Sequence, residues 1–314
     1  MGKFLRNCFL IALLLIVLGA GLSIAAGMTG GMESAADLVS KVSHGLVSFD
    51  PGDWKKIHIG WLDDDELDQE ALLDALEIDK NHPYNSSGIQ EKISLGKEFR
   101  NLDFEIGGAE VTVKHSEDEN YYIEAGNFKY FQSYVEDQTL YVKTIVTATG
   151  KDAFVTFYVP ENGAFSSVDI ELGAGKISLS GLAAEKISLE IGAGMLSVKG
   201  LQAKTVEVEV GAGSLELEEI QTGDFVGSVG MGSLRASGSF QGNVTANCSM
   251  GNLEIHVTDL SFEDYNYAVN CAMGEMQVGD RTWKDIAARD QIDHQAKKTM
   301  ELGCSMGRLE VSFP

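Results

Sequence analysis

Short glycine motifs recur in the second half of this chain, and glycine-rich turns are one way in which proteins hold phosphate groups. Gly-Ala-Gly occurs at residues 173–175, 192–194 and 211–213. A phosphate-binding loop requires G-x-x-x-x-G-K-[ST], and a dinucleotide-binding fold requires G-x-G-x-x-G at the start of a helix. Here the first motif continues into "KISLS", which alternates as a strand does, and the nine-residue calcium repeat with its Asp is also absent. The motif therefore predicts a bend in the backbone. It does not predict a binding site for a nucleotide or a calcium ion.

Side chains that commonly perform catalysis are present, but they give little sign of an enzyme. The G-x-S-x-G pattern of a hydrolase elbow occurs once, as GCSMG at residues 303–307, but it lies within a glycine unit and continues into the strand-like RLEVSF, where a hydrolase requires a helix. The H-E-x-x-H of a zinc protease does not occur. Some β-helical enzymes cleave polysaccharides with carboxylates on an outer face, and the candidates for such a face are Glu190, Glu207, Glu209, Glu216 and Glu218. Strand alternation requires polar residues at these positions in any case. Ordinary surface roles are likewise expected for the six histidines: His44, His58, His82, His115, His256 and His294. The sequence predicts no enzyme, and no catalytic, cofactor-binding or metal-binding residue.

Seven glycine-centred units organise the chain from Leu172 onward. They read LGAGKISL, IGAGMLSV, VGAGSLEL, VGMGSLRA, CSMGNLEI, CAMGEMQV and CSMGRLEV. The closing glycines of the first five units recur with a constant period of 19, and the last two intervals lengthen to 23 and 33. These glycines are Gly175, Gly194, Gly213, Gly232, Gly251, Gly274 and Gly307. A fixed period of about 20 residues, with a strand on each side of a glycine, predicts a single-stack parallel β-solenoid. The two longer intervals place insertions near 258–265 and 279–298.

Equivalent positions of stacked coils form columns with a spacing of about 4.8 Å, so each column should be chemically uniform. The first column holds Leu172, Ile191, Val210, Val229, Cys248, Cys271 and Cys304, and the third holds Ala174, Ala193, Ala212, Met231, Met250, Met273 and Met306. Large aliphatics accompany alanine in the early units, whereas cysteine accompanies methionine in the late ones. Tight packing predicts such an exchange of volume between touching residues. Both columns are therefore expected to face one core, and the closing glycine is expected to serve the bend.

Three of the four cysteines, Cys248, Cys271 and Cys304, occupy the first column. They are predicted to be buried thiols that pack as small hydrophobes. A disulfide between adjacent coils is the alternative, although three cysteines in one column would leave one of them unpaired. Zinc is not predicted, because no Cys-x-x-Cys or nearby histidine supplies four convergent ligands.

An apolar run extends from Cys8 to Ala26 and is preceded by Lys3 and Arg6. Its length of about 19 residues matches the roughly 30 Å core of a bilayer. The basic flank predicts a cytoplasmic N-terminus with all later residues outside. Residues 1–27 are therefore predicted to be a single-pass transmembrane anchor, with a cleaved signal peptide as the alternative. The formal charge of −23, from 47 acidic and 24 basic residues, excludes nucleic acid as a natural partner.

Residues 28–95 are predicted to form an acidic stalk or linker with short helices. The segment "WLDDDELDQEALLDALEIDK" (61–80) has leucines near helical spacing, and acidic residues crowd its start, which suits a helix N-terminus. A calcium site is the alternative, but the spacing lacks the glycine-centred loop of an EF-hand. Residues 96–314 form the predicted solenoid domain, in which only Arg281–Lys298 has a pattern compatible with a helix.

The chain resembles the bacterial cell-envelope putative adhesin family of glycine-punctuated β-solenoids. The resemblance covers about residues 94–314 and depends on "IGGAEVTV", "LYV" leading to "FYVP", the Gly-Ala-Gly coils and "TMELGCSMGRLEVSF". It implies an N-terminal membrane segment and an extracytoplasmic solenoid, and it implies no catalytic or binding residue.

The sequence thus favours a non-enzymatic, membrane-anchored surface protein for adhesion or envelope scaffolding, whose partner is an unidentified cell-surface protein or glycan. An envelope-stress sensor or regulatory subunit is the first alternative, and a polysaccharide-acting enzyme is the second. For the fold, an antiparallel meander with the Gly-x-Gly units at hairpin tips is the alternative. Strand direction distinguishes the two folds.

Overall fold

The computed structural model describes residues 47–49, 57–59, 92–96, 99–146, 153–160, 163–284 and 287–314, and these residues are predominantly β-strand. The strands are β1 (Val47–Phe49), β2 (Ile57–Ile59), β3 (Lys92–Gly96), β4 (Asn101–His115), β5 (Tyr121–Gly126), β6 (Phe128–Glu136), β7 (Thr139–Val146), β8 (Phe154–Val159), β9 (Phe165–Ile191), β10 (Met195–Val210), β11 (Ser214–Val229), β12 (Ser233–Phe240), β13 (Val244–Cys248), β14 (Asn252–Val257), β15 (Tyr265–Cys271), β16 (Glu275–Val278), β17 (Arg281–Trp283), β18 (Ala288–Ile292), β19 (Lys298–Cys304) and β20 (Arg308–Ser312). A 3-10 turn, Phe262–Asp264, precedes β15.

The chain divides into two compact units, Met1–Asn81 and His82–Pro314. In the first unit, β1 pairs antiparallel with β2. The predicted membrane anchor and the acidic segment 61–80 lie outside the described residues. Within the part that the structure describes, no helix has both the length and the apolar character needed to cross a membrane.

The central strands of the second unit pair in parallel, one coil apart. Met195 of β10 pairs with Lys176 of β9 on one side and with Ser214 of β11 on the other, which is a shift of one full period each time. The same register continues from β11 to β12 and from β12 to β14. Mirrored pairing about each glycine, which a hairpin meander would require, does not occur in these units. The fold is therefore all-β and solenoid-like, as the period predicts.

Three apolar columns beside the glycine turns form part of the core of the stack. The residues before the glycine turn are each at most 3% exposed: Leu172, Ile191, Val210, Val229, Cys248, Cys271 and Cys304. The first column after the turn is also buried and comprises Ile177, Leu196, Leu215, Leu234, Leu253, Met276 and Leu309. The second comprises Leu179, Val198, Leu217, Ala236, Ile255, Val278 and Val311. Because identical faces repeat at every coil, each apolar side chain packs against its equivalents above and below.

The column between the two glycine positions does not face the core, so this part of the sequence prediction is wrong. Met231, Met250, Met273 and Met306 are 44–64% exposed, and Ala193 and Ala212 are exposed as well. These residues occupy the apex of the turn, where the chain passes from one face of the coil to the next. The alternation of a flat strand does not continue across such a bend. The exchange of volume between the first and third columns is therefore not a packing compensation.

The closing glycines permit neighbouring turns to approach each other closely. A Cβ atom on Gly194 would lie 2.8 Å from the carbonyl oxygen of Gly175 and 2.6 Å from a methyl group of Leu172. Of the seven closing glycines, only Gly175 has a positive φ, at 103°. The glycine is thus required by the stacking of backbones more than by the conformation of the bend.

The last two coils are stacked in the reverse of their sequence order. β13 and β14 pair in parallel with β19 and β20, and these pair in turn with β15 and β16. The C-terminal coil therefore lies between the two coils that precede it in the chain. The described residues of Arg281–Lys298 form no helix, because β17 and β18 pair antiparallel with β16 and β15 and cover the end of the stack.

The opposite end of the stack also finishes in antiparallel strands. β4 pairs in parallel with β9 on one side and with β7 and β8 on the other. β5 and β6 then pair antiparallel with β8 and β7. Phe99, Tyr121, Phe157 and Phe165 pack as an aromatic cluster at this end. Antiparallel strands at both ends protect the stack from open-ended pairing with other chains.

Candidate functional site

A groove of about 530 Å³ crosses four neighbouring coils on the outer face of the stack. Its floor and walls come from β11, β12, β14 and β20, which the parallel register places side by side. We call this feature the outer groove. Its lining residues are Glu216, Leu217, Glu218, Glu219, Arg235, Ser237, Glu254, Ile255, His256, Glu310 and Ser312. The apolar members point inward in alternation with these polar side chains, so the solenoid repeat itself sets the spacing of the groove.

One row of the outer groove carries a charged side chain on every coil, three glutamates and one arginine. Glu216 pairs in register with Arg235, Arg235 with Glu254, and Glu254 with Glu310. The Nε atom of Arg235 donates a hydrogen bond of 2.8 Å to Glu254, and its Nη1 atom lies 3.8 Å from Glu216. The hydrogen bond from Arg235, together with one from Asn252, lowers the pKa of Glu254. Arg235 thus holds the neighbouring carboxylate in its charged form.

A second row of the outer groove carries hydroxyl groups and an imidazole. Ser237 pairs in register with His256, and His256 pairs with Ser312. The Nδ1 atom of His256 lies 2.9 Å from the hydroxyl oxygen of Ser312. The groove therefore presents carboxylates and a guanidinium in one row, and hydroxyls and an imidazole in the row beside it. Such a surface can exchange hydrogen bonds with a polar ligand, and the ionised state of Glu254 makes this carboxylate a poor proton donor.

A second group of carboxylates lies nearer the other end of the stack, and we call it the carboxylate ladder. Glu105 pairs in register with Glu171, Glu190 lies one coil further, and Glu209 pairs with Glu190. Burial, followed by the negative charges of Glu190 and Glu105, raises the pKa of Glu171 to about 7. Burial and the charge of Glu209 also raise the pKa of Glu190. One oxygen of each of these two carboxyl groups is buried without a hydrogen-bond partner.

Neighbouring acids extend the carboxylate ladder sideways. Burial raises the pKa of Asp103 to about 6, with further contributions from Glu105 and Asp169. Two lysines offset part of the negative charge in and beside the ladder, since Lys143 lies 2.8 Å from Glu105 and Lys186 lies 2.8 Å from Glu207. The ladder therefore holds protons at a higher pH than free carboxyl groups do.

The structure divides the five glutamates chosen from the sequence between these two features. Glu190 and Glu209 belong to the carboxylate ladder, Glu207 flanks it, and Glu216 and Glu218 line the outer groove. Sequence reasoning missed Glu105, Glu171, Arg235 and Glu254. These residues could have been found by aligning the outward-facing positions of the units in columns, as was done for the core positions.

The cysteines and His294 make contacts that support the fold. Cys248, Cys271 and Cys304 are buried and free, in the spatial order 248, 304, 271. Burial raises the pKa of Cys304 to about 12, so this thiol stays protonated. His294 contacts the backbone oxygen of Tyr265 at 2.8 Å, and His44 and His82 lie outside the described residues. Over the described ranges, no group of three or more His, Cys, Asp and Glu side chains is arranged to hold a metal ion.

The fold and the outer groove together define a solenoid-like β protein with an extended polar surface. The chain belongs to the Toastrack DUF4097 family, whose pattern matches residues 99–280. This agrees with the adhesin-like resemblance deduced from the glycine units. No curated protein is similar enough in sequence to match the chain.

Solved structures with a similar course of the chain come from several bacteria. A putative adhesin from Bacteroides fragilis is 14% identical, with a TM-score of 0.39, over 72% of this chain and 100% of that one. A putative lipid binding protein from Parabacteroides distasonis is 13% identical, with a TM-score of 0.37, over 73% and 98% of the two chains. A putative cell adhesion protein from Clostridium sporogenes is 12% identical, with a TM-score of 0.32, over 71% and 98%.

Proposed function

We propose that this protein is a non-enzymatic, membrane-anchored cell-surface solenoid that binds a polar ligand, a glycan or a protein, in adhesion or envelope scaffolding. The observation that carries the proposal is the outer groove, which crosses four coils and presents the row Glu216, Arg235, Glu254 and Glu310. Anchoring is proposed from the apolar run of residues 8–26 and its basic flank.

The dimensions of the outer groove suit an extended ligand. Four coils with a spacing of about 4.8 Å span roughly 14 Å from the first coil to the last. A glycan offers hydroxyl groups that both donate and accept hydrogen bonds, and the groove as a whole offers donors and acceptors. Many weak contacts along a rigid surface add up to useful affinity when several copies act together on one cell.

A binding experiment tests this proposal directly. The intact protein, reconstituted in detergent, is assayed for binding to cell-wall and capsular glycans and to cell-surface protein extracts. The variant Arg235→Ala removes the central donor of the groove and should weaken binding at least tenfold. Lys204→Ala serves as the matched control, because Lys204 forms a similarly exposed ion pair of 2.7 Å with Glu185 away from the groove. Equal binding by wild type and the Arg235 variant would remove the groove from the proposal.

Polysaccharide cleavage is a second candidate, and the carboxylate ladder is the observation that favours it. Glycosidases use one carboxyl group that holds its proton near neutral pH beside another that is ionised. Glu171 has a pKa of about 7 and adjoins Glu190. Turnover of a glycan that is abolished by Glu171→Gln would replace the non-enzymatic proposal. Absence of turnover with every glycan that the protein binds would support binding alone.

A sensor or regulatory role is the remaining alternative. It depends on residues 1–95, which include the predicted anchor and stalk. A membrane protein that co-purifies with the intact chain, but not with a variant in which residues 28–91 are replaced by a flexible linker, would favour this role over adhesion.

A further inference from the structure

Four methionines form a continuous line on the surface of the stack, and we call this line the methionine ridge. The amide of Met250 donates to the carbonyl oxygen of Gly230 at 2.8 Å, that of Met306 to Ser249 at 2.7 Å, and that of Met273 to Ser305 at 2.6 Å. These bonds fix the spatial order of the ridge as Met231, Met250, Met306 and Met273. All four side chains project from the apex of their turns and are 44%, 47%, 53% and 64% exposed, respectively.

The exposure of these side chains requires an explanation, because the same column holds small residues elsewhere. Ala193 and Ala212 occupy the equivalent apex in earlier coils, so the turn itself does not need a long apolar side chain. Because about half of each side chain remains exposed, burial stabilises these methionines much less than it stabilises a core residue. Their presence on consecutive coils therefore points to a role for the sulfur atoms.

The shape and flanks of the methionine ridge argue against an apolar docking surface. The ridge is one residue wide and lies on a convex turn. Polar residues flank it on both sides, with Ser249 and Ser305 before the methionines and Asn252 and Arg308 after the closing glycines. An apolar partner would find only a narrow strip, whereas interfaces normally have a broad buried centre.

We propose that the methionine ridge binds a soft monovalent metal ion, Cu(I) or its redox-inert analogue Ag(I), through the thioether sulfurs of neighbouring coils. Thioether sulfur is a soft ligand that selects Cu(I) over the harder divalent ions. With the roughly 2.3 Å length of a zinc–sulfur bond as a guide, two sulfurs on one ion lie up to about 4.6 Å apart. The roughly 4.8 Å rise between coils places the backbones of adjacent methionines slightly beyond this separation, and the three rotatable bonds of each side chain allow the sulfurs to approach one another.

The surroundings of the methionine ridge are consistent with a site for such a cation. The net charge of −23 attracts positive ions to the protein surface. Hard divalent ions would need oxygen or imidazole clusters, and the described part of the chain has no such group of three or more His, Cys, Asp and Glu residues. Met306 and Met250 occupy the middle of the ridge, so each has a methionine on both sides. The two central residues are expected to contribute most to binding.

Competition with a coloured Cu(I) chelator, under ascorbate and without oxygen, tests the proposal on the intact protein. The double variant Met250→Leu/Met306→Leu keeps the apolar volume and removes the two central sulfurs. We expect its dissociation constant for Cu(I), and for Ag(I) in a parallel titration, to rise at least tenfold. Met195→Leu is the matched control, because Met195 is 56% exposed but follows the closing glycine and lies outside the ridge. All cysteines are unchanged in these variants, so the difference in affinity reports on the ridge.

A second measurement keeps the test independent of the variants. With methyl-labelled methionine, Ag(I) should shift the methyl resonances of the four ridge residues and leave those of the buried Met276 and Met300 in place. Equal metal affinity of wild type and the double variant would overturn the proposal. An equal loss in Met195→Leu, or methyl shifts at residues outside the ridge alone, would overturn it as well.

Discussion

The carboxylate ladder leads to a specific prediction about stability and pH. In the variant Glu171→Gln, a neutral amide replaces a carboxyl group whose pKa is raised to about 7 by burial and by the charges of Glu190 and Glu105. The unfolded chain loses this proton near the ordinary glutamate pKa of 4.5, whereas the folded chain keeps it up to about 7. The free energy of unfolding of the wild type should therefore decrease as the pH rises from 4.5 to 7, because folding then requires a proton that the unfolded chain has lost. Above pH 7 this contribution should stay at its lower level.

The size of the effect follows from the shift in pKa. Each pKa unit corresponds to about 1.36 kcal/mol, so the full shift would amount to roughly 3 kcal/mol. Glu171 is only partly buried and is coupled to its neighbours, and solvent screening reduces this figure to about 1–2 kcal/mol. At pH 8 the amide variant should be more stable than the wild type by this amount, relative to the difference between the two proteins at pH 5. Any packing cost of the amide is the same at both pH values and cancels in this comparison.

Urea unfolding at pH 5 and pH 8, at constant ionic strength, measures the effect through the transition midpoint at unchanged slope. Glu254→Gln is the matched control, because its hydrogen bond with Arg235 lowers its pKa. At pH 8 the free energy of unfolding of Glu254→Gln should be lower than that of the wild type by up to about 1 kcal/mol. An identical stability difference between Glu171→Gln and wild type at the two pH values would refute the raised pKa of Glu171 and with it the reasoning from burial and like charge.

Three further predictions follow from the packing of the stack. Gly232→Ala should reduce the free energy of unfolding by about 2–3 kcal/mol, because the added methyl group meets the carbonyl oxygen of Gly213, and thermal unfolding measures this against an Ala212→Ser control at the exposed apex. Leu215→Ala, at a core position 1% exposed, should cost about 2–5 kcal/mol in urea unfolding, and a loss below about 1 kcal/mol would contradict its place in the core. The thiol of Cys304, with a pKa of about 12, should react with a disulfide reagent at pH 8 only after unfolding, and rapid labelling of the native protein would show that it is accessible.

The period of the glycine units was sufficient to predict the parallel register, the three buried columns and the outward positions between them. Columns are reliable because an apolar residue is required at the same place in the coil seven times. The same rule failed for Met231 and its equivalents, because the alternation of sides holds along a strand and not across a bend. It would have found the row from Glu216 to Glu310 had it been applied to polar positions.

Two other features could not be read from the local pattern. The order of the last coils depends on which strands β19 and β20 pair with, and this pairing is made with distant parts of the chain. The pattern of Arg281–Lys298 is compatible with a helix, but β17 and β18 form there because their partners lie in β16 and β15. Tertiary pairing decides such short segments.

The position of the C-terminal coil has a consequence for how the protein is made. A solenoid with coils in sequence order can assemble progressively as each repeat leaves the ribosome, since each new coil finds its template already formed. Here β19 and β20, which follow β15 and β16 in the chain, supply the layer that joins β13 and β14 to β15 and β16. This end of the stack, including two of the four methionines of the ridge, therefore stays incomplete until β19 and β20 have been synthesised. A chain that stops before β19 would expose two unpaired sheet edges, by which quality-control proteases could recognise an unfinished molecule.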